Sequence, residues 1–182
     1  MFQSNMTIRK SNNKLTIMFI LFNISWFGCV FSGKYETGFY VYLIPAIFYL
    51  VLRTFVNLTL KLLGAFLLVG LIGLSFDALA LHQGWIVSST LTTALSVPNW
   101  LVALWLLFSL SLPTYLNWLE DKWILASVLG FVLGPVSYRY GEALSVLSFT
   151  QPIFMLYYGI FWALFFPASL WCCSEAMRLK IY

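Results

Sequence analysis

Long apolar runs, separated by short polar breaks, dominate this chain. They fall at 15–32, 39–52, 62–81, 100–119, 123–138 and 153–174, the second and fifth being short. The breaks include SGKYETG, RTFVNLTLK, QGWIVSSTLTTALSVPN, EDK and RYGEALSVLSFTQP, where charges, Gly, Pro and small polar residues gather. About 20 apolar residues in a helix cross a hydrocarbon core of about 30 Å, and a helix satisfies its own backbone in lipid. The pattern therefore predicts an all-α, polytopic membrane protein, a bundle of six transmembrane helices. Its parts are a polar N-terminal lead over 1–14, a six-helix domain over 15–176 and a short tail over 177–182. The lead, MFQSNMTIRKSNNK, reads as a disordered cytoplasmic segment. The run that follows has no small-residue cleavage site and reads as an uncleaved first span.

Composition agrees with this reading. Hydrophobic residues make up 62% of the chain and charged residues 9%, against about 25% charged in soluble domains. The net charge of +4 does not point to nucleic acid, because the ten Lys and Arg residues are scattered between apolar runs. They report topology instead. With six spans, Arg9, Lys10, Lys14, Arg53, Lys61, Lys122, Arg178 and Lys180 share one side, and only Lys34 and Arg139 fall on the other. Short cytoplasmic connections retain positive charge, so both termini are expected in the cytoplasm.

An ionisable group inside a span is costly unless paired or hydrated, which makes Asp77 the first candidate for chemistry. Counting 1.5 Å per residue from Lys61, Asp77 lies about 24 Å across the membrane. The same count from Trp123 puts Arg139 at about 24 Å. An Asp77–Arg139 ion pair would explain both the buried acid and the cation that breaks the charge rule. Two readings of it stay open. It is a structural clamp between the third and fifth helices, or it belongs to a periplasm-facing polar pocket in which Asp77, His82, Arg139 and Glu142 face a ligand. His82 lies about 140° around the helix from Asp77, so the two form no ready dyad. No metal site and no catalytic residue is assigned. One histidine offers too few ligands, and Cys29, Cys172 and Cys173 lie in apolar runs without metal-binding spacing.

Asn23 falls near the midplane of the first span, with Trp26 at i+3 on the same face. It either bridges two helices by hydrogen bonds or lines a cavity. In the fifth span, Gly130 and Gly134 form a small-xxx-small face, Pro135 weakens the backbone, and Gly141 follows beyond Tyr138. Trp100 opens the fourth span as an interfacial aromatic.

FNISWFGCV, GLSFDALALHQG, PNWLVALWLLFSLSL followed by NWLE, and GFVLGPVSYRYGEAL together resemble a family of small bacterial inner-membrane proteins known only as a domain of unknown function. The resemblance marks Asn23, Trp26, Asp77, Pro98, Trp100, Trp105, Gly134, Pro135, Tyr138 and Gly141. It implies a multi-pass protein of the bacterial inner membrane and, through the genes that often neighbour the family, a lipid-related role. It implies no activity and no cofactor.

Three functions follow as expectations. The first is binding or transport of a small amphipathic or lipid-like molecule in a pocket formed by Asn23, Trp26, Asp77, His82, Trp100, Tyr138, Arg139 and Glu142. The second is a noncatalytic scaffold or accessory subunit for a lipid-modification system, with a membrane-protein partner docked on the fifth helix. The third is an intramembrane enzyme acting on lipid, which the shortage of clustered His, Cys and acids disfavours. Membrane lipids are expected partners, nucleic acid is not, and no cofactor is expected.

Overall fold

The computed structural model describes residues 2–90 and 97–178. Six α-helices follow one another: α1 (Phe2–Lys34), α2 (Leu43–Leu52), α3 (Leu60–His82), α4 (Asn99–Ser111), α5 (Trp123–Ala143) and α6 (Ile153–Arg178). Four stretches, Lys14–Lys34, Leu60–His82, Trp123–Ala143 and Ile153–Arg178, are long and apolar enough to cross a membrane, as a membrane protein requires. Large apolar side chains cover the outside: Leu60, Ile124 and Leu164 are 84%, 84% and 71% exposed. A surface of this kind suits lipid.

Three expectations about the segments need correction. The polar lead is helical, because α1 runs unbroken from Phe2 and neither Gly nor Pro occurs before Gly28. The fourth segment does not extend to residue 119. α4 stops at Ser111 after 13 residues, about 20 Å, because Pro113 has no N–H to continue the helical ladder. The fifth, expected to be short, is the 21 residues of α5, whereas the second is short as expected, a 3-10 turn over Gly38–Tyr42 leading into the ten residues of α2. Pro45 is the third residue of α2, where its missing N–H would have had no helical partner anyway. Pro135 and Pro167, by contrast, lie within α5 and α6.

The all-α expectation is amended by two short strands, β1 (Ile86–Ser88) and β2 (Leu147–Phe149), paired antiparallel with Val87 opposite Ser148. Thr150 N donates to Trp85 O at 3.1 Å and Thr150 Oγ1 to Gly84 O at 2.6 Å, extending the seam. The pairing joins the α3–α4 and α5–α6 connections, so the C-terminal ends of α3 and α5 lie together at one end of the bundle. At the other end Arg178 bonds Glu120 and reaches Glu175 at 3.2 Å, tying α6 to the α4–α5 connection.

α4 occupies the middle, packed on α1, α2 and α3, while α5 packs most extensively on α6. The glycines expected to pack do so. A side chain at Gly130 would strike the Trp162 carbonyl, and one at Gly134 would enter the Trp162 ring. Close approach of α5 and α6 therefore depends on the absence of Cβ at these two positions. Gly141 lies beside Val146 and Leu147, where the chain turns into β2.

Candidate functional site

Asp77 is completely buried, five residues from the end of α3. Gly73, one turn earlier, lets the Trp105 ring lie directly against the α3 backbone, since a Cβ there would overlap the indole. That approach carries the Trp105 nitrogen to the carboxyl. Trp105 Nε1 donates to Asp77 Oδ2 at 2.6 Å, and the Tyr138 hydroxyl donates to both oxygens at 2.8 Å. The Tyr158 hydroxyl donates to Oδ1 at 2.9 Å. Four helices meet at this one side chain: α3, α4, α5 and α6.

The donors are held by an aromatic cluster. Trp105 stacks on Trp162 with centroids 5.3 Å apart, Tyr138 meets Tyr158 edge to face at 4.4 Å, and Phe76 stacks on Phe161 at 3.8 Å. Neutral donors, and no cation, satisfy the carboxyl. A buried acid of this kind survives because each lone-pair direction meets a hydrogen bond.

The expected Asp77–Arg139 ion pair does not form. Arg139 pairs with Glu142 at 2.5 Å and is largely exposed, and Glu142 Oε1 accepts from Phe149 N at 3.3 Å. Arg139 and Glu142 thus brace β2 at the surface. The reason is angular: successive helix residues diverge by about 100°, so Tyr138, which faces Asp77, turns Arg139 outward. His82 is exposed at the end of α3, away from the carboxyl. Asn23 does not bridge helices; its amide donates to Phe19 O on its own helix at 2.8 Å. Among the described residues, no three His, Cys, Asp or Glu side chains gather to hold a metal.

Trp26, Trp100 and Tyr138 meet elsewhere, on a cleft of about 250 Å³ between α1, α4, α5 and α6. Phe22, Trp26 and Val30 line it at helical spacing along α1. Its floor is Trp105, Tyr138 and Trp162. Trp100 closes the strand end, its Nε1 donating to Thr90 Oγ1 at 3.0 Å. Leu133 both lines the cleft and is 56% exposed, so the cavity reaches the outer surface beside α5. There α1 and α5 meet through the edge contact of Trp26 and Tyr140 rather than by extensive packing. No charged residue lines the cleft, and Asp77, His82, Arg139 and Glu142 are not on its wall. Asp77 sits immediately behind the wall, holding two of its side chains.

Trp162 has no signal in the sequence as a site residue, Tyr158 is not singled out there, and Trp105 enters only through the family resemblance. A depth count applied to neutral donors would have found the tyrosines. Tyr138 is five residues from Ala143 and Tyr158 five from Ile153, each about 7.5 Å in from the strand end, as Asp77 is from His82.

No curated protein and no solved structure in the comparisons matches the chain. The chain belongs to the family described as Protein of unknown function (DUF2878), which it matches over residues 15–168.

Proposed function

We propose that this protein binds one hydrocarbon chain of an amphipathic, lipid-like molecule in the cleft between α1 and α5. The observation that carries the reading is the cleft itself: uncharged, walled by tryptophans and phenylalanines, and open beside exposed Leu133 on a face suited to lipid. Its volume, about 250 Å³, falls just below the range of small-molecule sites, about 300–1,000 Å³, and suits a single slender chain better than a branched lipid. The setting belongs to the proposal: a bacterial inner membrane, both termini cytoplasmic, six apolar segments of which two are short, and the strand end facing the periplasm.

Native mass spectrometry of the detergent-purified protein, with lipid extraction, tests the reading. A retained single-chain amphiphile, or a phospholipid with one chain inserted, is the expected result. Ser137 lines the cleft and its hydroxyl bonds only its own helix, to Gly134 O at 2.6 Å, so Ser137→Phe fills the space at small structural cost. Equal ligand retention by a folded Ser137→Phe variant would count against the cleft.

A second reading, a noncatalytic scaffold, draws support from Asp77. Its hydrogen bonds are complete within the chain, so joining four helices is sufficient reason for the residue.

A further inference from the structure

α4 is too short to line the bundle from end to end, and the connection that follows it supplies the blind end of the cleft. Residues 111–114 are buried off the wall, but Tyr115 and Leu116 return to it. On α1 the wall stops at the same level. Phe22 lines the cleft and meets the Tyr115 ring at 5.4 Å, whereas Phe19, one turn nearer the N-terminus, meets that ring at 5.3 Å and is off the wall. The Tyr115 hydroxyl is hydrogen-bonded to Ser111, so the ring is held in place across the end of the cleft. The side, by contrast, is open along a seam. Leu129, Leu133 and Ser137 follow one another at every fourth residue of α5, all three line the cleft, and none is buried.

We propose that Tyr115 is the stop against which the tail of the bound chain ends, so that the cleft selects its ligand by chain length. The inference rests on the cleft-binding reading. The cleft lies nearer the strand end: on α1, Val30 is four residues from Lys34, about 6 Å, and Phe22 is eight from Lys14, about 12 Å. A polar head therefore leaves the seam toward the strand end, where the surface is close, and the tail points to Tyr115. The wall is about 12 Å long from Phe22 to Val30 and about 18 Å long from Leu129 to Gly141. A backbone residue of three bonds extends about 3.3–3.6 Å, so an extended chain advances about 1.2 Å per bond and the cleft holds about 10–15 bonds. A longer chain meets the ring, and each surplus methylene in a closed apolar pocket costs about tenfold or more in binding.

The test uses the full chain in a steroidal detergent, which has no alkyl chain to compete, with an equimolar mixture of saturated monoacylglycerols whose chains run from shorter to longer than the cleft. Native mass spectrometry reads how much of each is retained. Retention should rise with chain length to a limit and then fall about tenfold per added carbon. Tyr115→Ala should move the limit to longer chains by several carbons. Leu129→Phe, which fills the same end from a partly exposed position, should move it to shorter ones. Ser137→Phe should lower retention at every length. A native protein without a limit, or a limit left in place by either folded variant, would overturn the stop, while retention lost in Ser137→Phe would still uphold the cleft. Equal retention by the native protein and Ser137→Phe at every length would overturn the cleft reading and the stop with it. If Tyr115→Ala does not fold, the shift with Leu129→Phe decides alone.

Discussion

Trp105 Nε1 donates to Asp77 Oδ2 at 2.6 Å, joining α4 to α3 directly behind the floor of the cleft. The indole cannot accept in return, so this contact requires an acceptor oxygen at Asp77 Oδ2, whatever the tyrosine hydroxyls do.

Asp77→Asn should therefore destabilise the protein by about 1–3 kcal/mol, the range for leaving a buried donor unpaired. Asp77→Leu, which strips three donors at once, should be worse. Asp77→Asn should cost less in a Trp105→Phe background, where the conflicting donor is gone. Denaturant unfolding of the four proteins in one detergent measures the coupling. Strictly additive losses would mean that the bond contributes little.

Arg139 should prove dispensable. Its partner Glu142 is one turn away and Arg139 itself is largely exposed, so Arg139→Ala should change stability by no more than about 1 kcal/mol. The combined exchange Asp77→Arg with Arg139→Asp should be as damaged as Asp77→Arg alone. Rescue by the exchange, seen as recovered thermal stability, would restore the ion pair rejected above.

The α5–α6 seam gives a sharp contrast between glycines. Gly134→Leu places a side chain where the Trp162 ring stands, and loss of several kcal/mol or of folded protein is expected. A Cβ at Gly64 in α3 meets nothing within 4 Å, so Gly64→Ala should be neutral or stabilise by about 0.5–1 kcal/mol through helix propensity. Thermal melting of the two variants checks both directions.

Topology can be read by cysteine labelling in whole cells, with Cys29, Cys172 and Cys173 first replaced. Gln83→Cys and Gln151→Cys, at the strand end, should react with an impermeant maleimide from outside. Lys61→Cys and Asp121→Cys should react only after permeabilisation. The reverse pattern would invert the proposed orientation.

Much of this was legible before the fold. The six segments, the α5 glycine face and the importance of Asp77 all follow from where apolar runs, small residues and a lone acid occur. Depth was legible too: Asp77 and Arg139 were expected at one level, and Asp77 and Tyr138, the neighbour of Arg139, do meet. The error lay in assigning the charge a charged partner. Neutral donors are ubiquitous in a chain with eight Trp and ten Tyr, so no single one stands out by type.

The sequence by itself determined the linear features: which stretches are apolar enough for lipid, and which glycines leave room for a neighbouring helix. These depend on residue type and spacing along one axis. Only the tertiary structure decided which way each helix turns. That rotation placed Tyr138 rather than Arg139 against Asp77, gathered Trp105 and Tyr158 around it, and opened an apolar cleft in place of a polar pocket. Rotation about a helix axis is set by packing against other helices, and in an apolar membrane segment nearly every face is hydrophobic, so the pattern along the chain carries little of it.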